Sequence, residues 1–136
     1  MGFLDNAKNK AKSTFNTTSS KYDESKQVRA LESQIKDEKT KVRELYENIG
    51  KEYYRFTVDG DKAHKNNIKP MIQDVNKSRE LIGQLEAQIE EVRTKAKEDR
   101  ESIKAEADAR SKEIEAADEQ ARADKKAAEK EKDDLF

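Results

Sequence analysis

The sequence predicts an all-α fold: an elongated antiparallel coiled-coil helical hairpin with an N-terminal amphipathic helix and a charged C-terminal helical tail. Three observations carry this. Apolar residues recur at alternating three- and four-residue steps over two stretches of similar length. A polar interruption at residues 57–61 separates the two stretches. Only 32% of the 136 residues are hydrophobic and 43% are charged, well short of the ~45–50% apolar content from which a globular interior is built.

The first element, residues 1–19, is an amphipathic helix followed by a linker. Phe3, Leu4, Ala7, Ala11 and Phe15 share one helix face, with Lys8, Lys10 and Lys12 around it. Residues 16–20 read Asn-Thr-Thr-Ser-Ser, side chains that compete with helix by bonding the backbone locally. Ser20 with Asp23 resembles a capping box, so a long helix is expected to begin there.

The hairpin spans residues 20–96, with a turn at about 57–66. Its first arm has the seam Val28, Leu31, Ile35, Val42, Leu45, Ile49 and Phe56, with Glu38 and Glu52 in the two remaining slots. The second has Ile68, Met71, Val75, Ile82, Leu85, Ile89, Val92 and Ala96, with Ser78 in one slot. Pro70 is tolerated in a first helical turn, which predicts a start near Asn66 or Asn67; a helix from Asp61 kinked at Pro70 is the alternative. Two such seams joined by a short turn bury their stripes locally only when antiparallel.

The tail, residues 97–136, has 24 charged residues of 40 and nine Ala. Acid-before-base pairs such as Asp118 and Arg122 favour helix, and the scarcity of large apolar side chains predicts that it is solvated.

The charge balance limits the functions available. With 29 basic and 30 acidic residues the net charge is −1, so no one-signed field recruits nucleic acid. Without Cys there is no disulfide framework or thiolate metal site. His64, the single histidine, leaves no His-paired nucleophile or multi-His site and is expected to be a solvated loop residue. The carboxylates lie among lysines and arginines on helix faces, without burial to tune them for proton transfer. A non-enzymatic protein with no metal and no cofactor is expected. Residues 1–20 lack the apolar core of a signal peptide and no apolar run is long enough to span a bilayer, which predicts a cytoplasmic location, peripheral to the inner face of the membrane.

Two interaction sites follow. The basic N-terminal helix, through Phe3, Leu4, Ala7, Lys8, Lys10, Ala11, Lys12 and Phe15, fits an anionic membrane surface or a groove on another protein. At the turn end the stripe widens, and Leu45, Tyr46, Ile49, Tyr53 and Phe56 with Met71, Ile72 and Val75 are expected to pack a second copy of the chain. The predicted function is a self-assembling scaffold on membranes, with a soluble adaptor or holdase-like protein as the alternative.

These residues also carry a resemblance. The start Met1-Gly2-Phe3-Leu4-Asp5, then Leu31-Glu32-Ser33-Gln34-Ile35-Lys36-Asp37-Glu38, then the Leu45-Tyr46-x-x-Ile49-Gly50-Lys51-x-Tyr53-Tyr54 stretch, resemble small uncharacterised bacterial coiled-coil proteins, many of which end in a zinc ribbon. The resemblance covers about residues 1–95 and implies a coiled-coil hairpin behind an amphipathic start. The ribbon's cysteines are absent here. The layout is also similar in architecture to membrane-remodelling proteins of the phage-shock type.

Overall fold

A computed structural model describes residues 2–60 and 62–135; Met1, Asp61 and Phe136, which begin the resemblance, fall in the expected turn and close the tail, lie outside the described residues. The chain is all-α and forms a helical hairpin: α1 runs Gly2–Asp59 and α2 Lys62–Asp134. It divides into two units. One pairs the chain up to Asp23 with the chain from Lys95 onward, and the other is Glu24–Thr94.

In the Glu24–Thr94 unit the positions expected to form the seam are the ones that turn inward. Val28, Ile35, Leu85 and Ile89 form the buried cluster, with Leu31, Ile82 and Val92 packed on it and Val75 buried nearer the turn. Two helices enclose little: the most buried of these, Leu85, keeps 3% of its surface. The polar slots pair across the seam. The Ser78 hydroxyl lies close enough to Glu38 to help lower its pKa, and Glu52 Oε2 lies 2.6 Å from His64 Nδ1.

The turn is tighter than expected. α1 continues through Thr57 and Val58, and Gly60 ends it with φ +67°, the left-handed conformation that favours glycine. Its N–H donates to the Phe56 carbonyl at 2.9 Å, the single bond of an αL cap. α2 then starts at Lys62, earlier than Asn66, with Pro70 inside the helix. A proline in a helix interior costs ~3 kcal/mol relative to alanine, a local term outweighed by the seam contacts that the first turns of α2 bring to the pair. His64 is accordingly a half-buried helix residue bonded to Glu52, and not a solvated loop residue.

Two further expectations are corrected in the other unit. Residues 16–20 form no linker and Ser20 caps no helix; α1 passes through them unbroken. Five residues of middling propensity cost up to ~0.7 kcal/mol each, whereas starting a helix afresh carries a nucleation factor near 10⁻³, about 4 kcal/mol, besides the packing lost. Nor is the tail wholly solvated. Ile103, Ala107, Ser111, Ile114 and Asp118 are partly or half buried, and exposure is continuous only from Glu119 to Leu135.

Candidate functional site

The first unit is built the opposite way to an ordinary amphipathic helix. Over residues 2–20 of α1 the inward row is Gly2, Asn6, Asn9, Ser13, Asn16 and Ser20, at steps of three and four residues, with Thr17 half-buried beside it. All are small or polar. Asn9 is buried, and its amide nitrogen donates to the Ala107 carbonyl at 2.9 Å and to Ser111 Oγ at 3.1 Å. Asn6 Oδ1 is buried without a hydrogen-bond partner. A Cβ built on Gly2 would stand 3.2 Å from the Asp118 Cβ, so at that end the helices approach as closely as a glycine allows.

The expected apolar face therefore points to solvent. Phe3 is 85% exposed, Leu4 58% and Phe15 73%, with Ala7 and Ala11 exposed between them. Tyr22, 68% exposed, continues the same face seven residues beyond Phe15 and extends it past the stretch expected to be the amphipathic helix. Lys8, Lys10 and Lys12 are exposed too. At 100° per residue Lys8 falls on one edge of the apolar face, Lys10 and Lys21 on the other, and Lys12 further round toward α2. Seven of the eight N-terminal candidates thus share one free surface, and Lys12 borders the groove beside Asn9.

The eight turn-end candidates divide. Leu45, Ile49, Phe56, Met71 and Val75 face the hairpin's own seam, Val75 at 5% exposure. Tyr46, Tyr53 and Ile72 remain exposed, and Tyr53, Phe56, Ile68 and Ile72 line a groove of about 490 Å³ with the stems of Lys65 and Lys69.

The groove beside Asn9 is lined by Ser13, Asn16, Glu106, Arg110 and Glu113 among others. Among the described residues no cluster of three or more His, Asp or Glu side chains is arranged to hold a metal ion, and no helix is long and apolar enough to cross a membrane. The Glu38 carboxyl is shifted from its ordinary value. The Lys41 ammonium, bonded to it at 3.1 Å, and then the Ser78 hydroxyl hold it below the usual 4.5. No family model, curated protein or solved structure matches the chain.

Proposed function

We propose that this protein is a non-enzymatic coiled-coil scaffold that attaches to anionic membrane surfaces, as a peripheral protein of the cytoplasmic face, through the outward side of residues 3–22. One observation carries the reading: α1 turns its amides and hydroxyls inward and leaves Phe3, Leu4, Phe15 and Tyr22 in solvent with lysines along both edges. Coiled-coil character in the hairpin is supported by the unbroken alternation of three- and four-residue steps between buried or half-buried positions from Val28 to Phe56 and from Ile68 to Ala96.

The energetics favour lipid over water for this face. Burying Phe3, Leu4 and Phe15 contributes ~1.5–3 kcal/mol each, and each lysine near an anionic surface adds about 1 kcal/mol. A disordered segment would lose much of this to helix formation, but a helix already paired on its other side loses far less. The charge is complementary as well: residues 1–21 carry Lys8, Lys10, Lys12 and Lys21 against Asp5 alone.

Co-sedimentation of the full chain with vesicles tests the reading. Binding should rise when phosphatidylglycerol is added to phosphatidylcholine, fall with salt, and largely vanish for F3S/L4S while the circular dichroism of the helices is unchanged. A double variant that sediments with vesicles as well as wild type refutes attachment through this face, and leaves the protein-groove alternative as the better account.

A further inference from the structure

We propose that one flank of the Glu24–Thr94 unit is a second surface for anionic lipid, independent of residues 3–22. Next to the seam on one side lie positions 36, 39, 43, 46, 50, 53 and 57 of α1, and positions 62, 65, 69, 72, 76, 79 and 83 of α2. In an antiparallel pair these two rows are neighbours. The groove that brings Tyr53 of α1 to Lys65, Lys69 and Ile72 of α2 places them on one side of the hairpin.

The charges are sorted onto this flank. It carries Lys36, Lys39, Arg43, Lys62, Lys65, Lys69 and Arg79, all exposed and none ion-paired among the described residues. Residues 36–83 contain nine Asp and Glu, yet none occupies either row. Glu38 and Glu52 face the seam, and Glu44, Glu47, Asp74 and Glu80 lie on the other faces. Glu32 and Glu86 close the basic stretch at its far end. A net charge of −1 for the whole chain conceals this, because the balancing acids lie elsewhere.

The side chains among the cations favour a bilayer. Tyr46, Tyr53 and Ile72, with the groove that reaches Phe56 and Ile68, form an apolar middle between the lysines. At a lipid interface tyrosine rings sit at headgroup level, and lysine stems lie along apolar surface while their ammonium groups reach the phosphates. A duplex backbone offers nothing to Ile72 or Ile68, which argues against nucleic acid. A second copy related by a two-fold axis would set these cations against themselves.

The test uses the full chain, wild type and F3S/L4S, with vesicles of phosphatidylcholine and phosphatidylglycerol. K65Q/K69Q should lower the partition coefficient about 10–30-fold in both backgrounds, since two cations leave the surface. K51Q/K77Q, with equal charge loss off the flank, should leave it within about 2-fold. Y53S/I72S should weaken binding without changing the salt dependence. The proposal is overturned if K65Q/K69Q binds as its parent does, or if K51Q/K77Q loses as much. It is also overturned if K65Q/K69Q weakens only binding to a single-stranded or duplex oligonucleotide. A Y53S/I72S variant that merely converts a sedimenting dimer to monomer, with vesicle binding intact, assigns the flank to a second copy instead.

Discussion

Asn9 holds the N-terminal stretch of α1 to its partner, and its replacement by alanine should loosen that unit alone. The side chain is 7% exposed and its amide makes two hydrogen bonds, to the Ala107 carbonyl and to Ser111 Oγ. Each is worth ~0.5–1.5 kcal/mol net, so Asn9→Ala should cost about 1–3 kcal/mol. The lower half of that range is favoured, because the Ala107 carbonyl retains its helical partner and Ser111 can turn toward water. At about 1.4 kcal/mol the opening constant rises tenfold. Native-state amide exchange reads this directly: amides of residues 6–20 should lose roughly tenfold protection while those of residues 28–56 hold theirs. Unchanged protection would show that Asn9 does not hold the pairing. A uniform loss through residue 56 would show that the two units open together.

Asn9→Leu separates stability from register. A leucine at this position returns apolar burial for the lost hydrogen bonds, but a single buried amide is also a device for fixing how helices slide past each other. The chain has no cysteine, so G2C/D118C reports alignment without competition, and the 3.2 Å between the two Cβ positions is near the ~3.5–4.5 Å span of a disulfide. Oxidation should link the pair readily in the parent and more slowly in the Asn9→Leu background. Equal rates would assign register to the shape of the seam instead of to the amide.

Two more perturbations bear on the hairpin. Pro70→Ala restores a helical N–H in the interior of α2 and should raise stability by up to ~3 kcal/mol in urea unfolding; no gain would mean that the proline is matched by its surroundings. Glu38 has its folded pKa lowered by Lys41 and Ser78, so its contribution is present above pH 4.5 and is lost as pH falls through the lower folded value. The stability difference between wild type and Glu38→Gln should therefore shrink on acidification below pH 4.5, and a difference constant from pH 7 to pH 2 would refute that role.

How much of this was legible in the sequence depended on what kind of side chain faces inward. From Val28 to Phe56 and from Ile68 to Ala96 large aliphatic residues mark the seam, and a 3-4 rhythm of such residues reports burial directly. Residues 2–20 have the same rhythm in Gly2, Asn6, Asn9, Ser13, Asn16 and Ser20, where no hydropathy signal records it. The matching stretch of α2, Ile103, Ala107, Ser111, Ile114 and Asp118, is equally muted, so the tail read as solvated. Pro70 by local propensity alone favours a start near Asn66, whereas the alternative that keeps Pro70 within the helix is the one found, because seam contacts oppose the local term. The basic flank was invisible to charge counting and needed the seam's phase before its rows could be drawn.

The N-terminal unit is arranged against its own hydrophobic pattern. Turning Phe3, Leu4 and Phe15 toward α2 would remove three large side chains from water, ~1.5–3 kcal/mol each, and would put Asn6 and Asn9 in solvent where their amides need no partner. The observed arrangement instead buries Asn6 Oδ1 unbonded, a cost of ~1–3 kcal/mol, and leaves the apolar face wet. Close approach offsets part of this, since Gly2, Ser13 and Ser20 let α1 lie against a stretch of α2 that offers Ala107 and Ser111 where larger residues would hold it off. It does not supply the several kcal/mol forgone. A stretch whose local pattern and tertiary placement disagree by that much is where function competes with folding. On the attachment proposed above that demand is specific in kind, because a face that is apolar along its centre, cationic along both edges and already helical would recover its missing free energy at an anionic lipid surface.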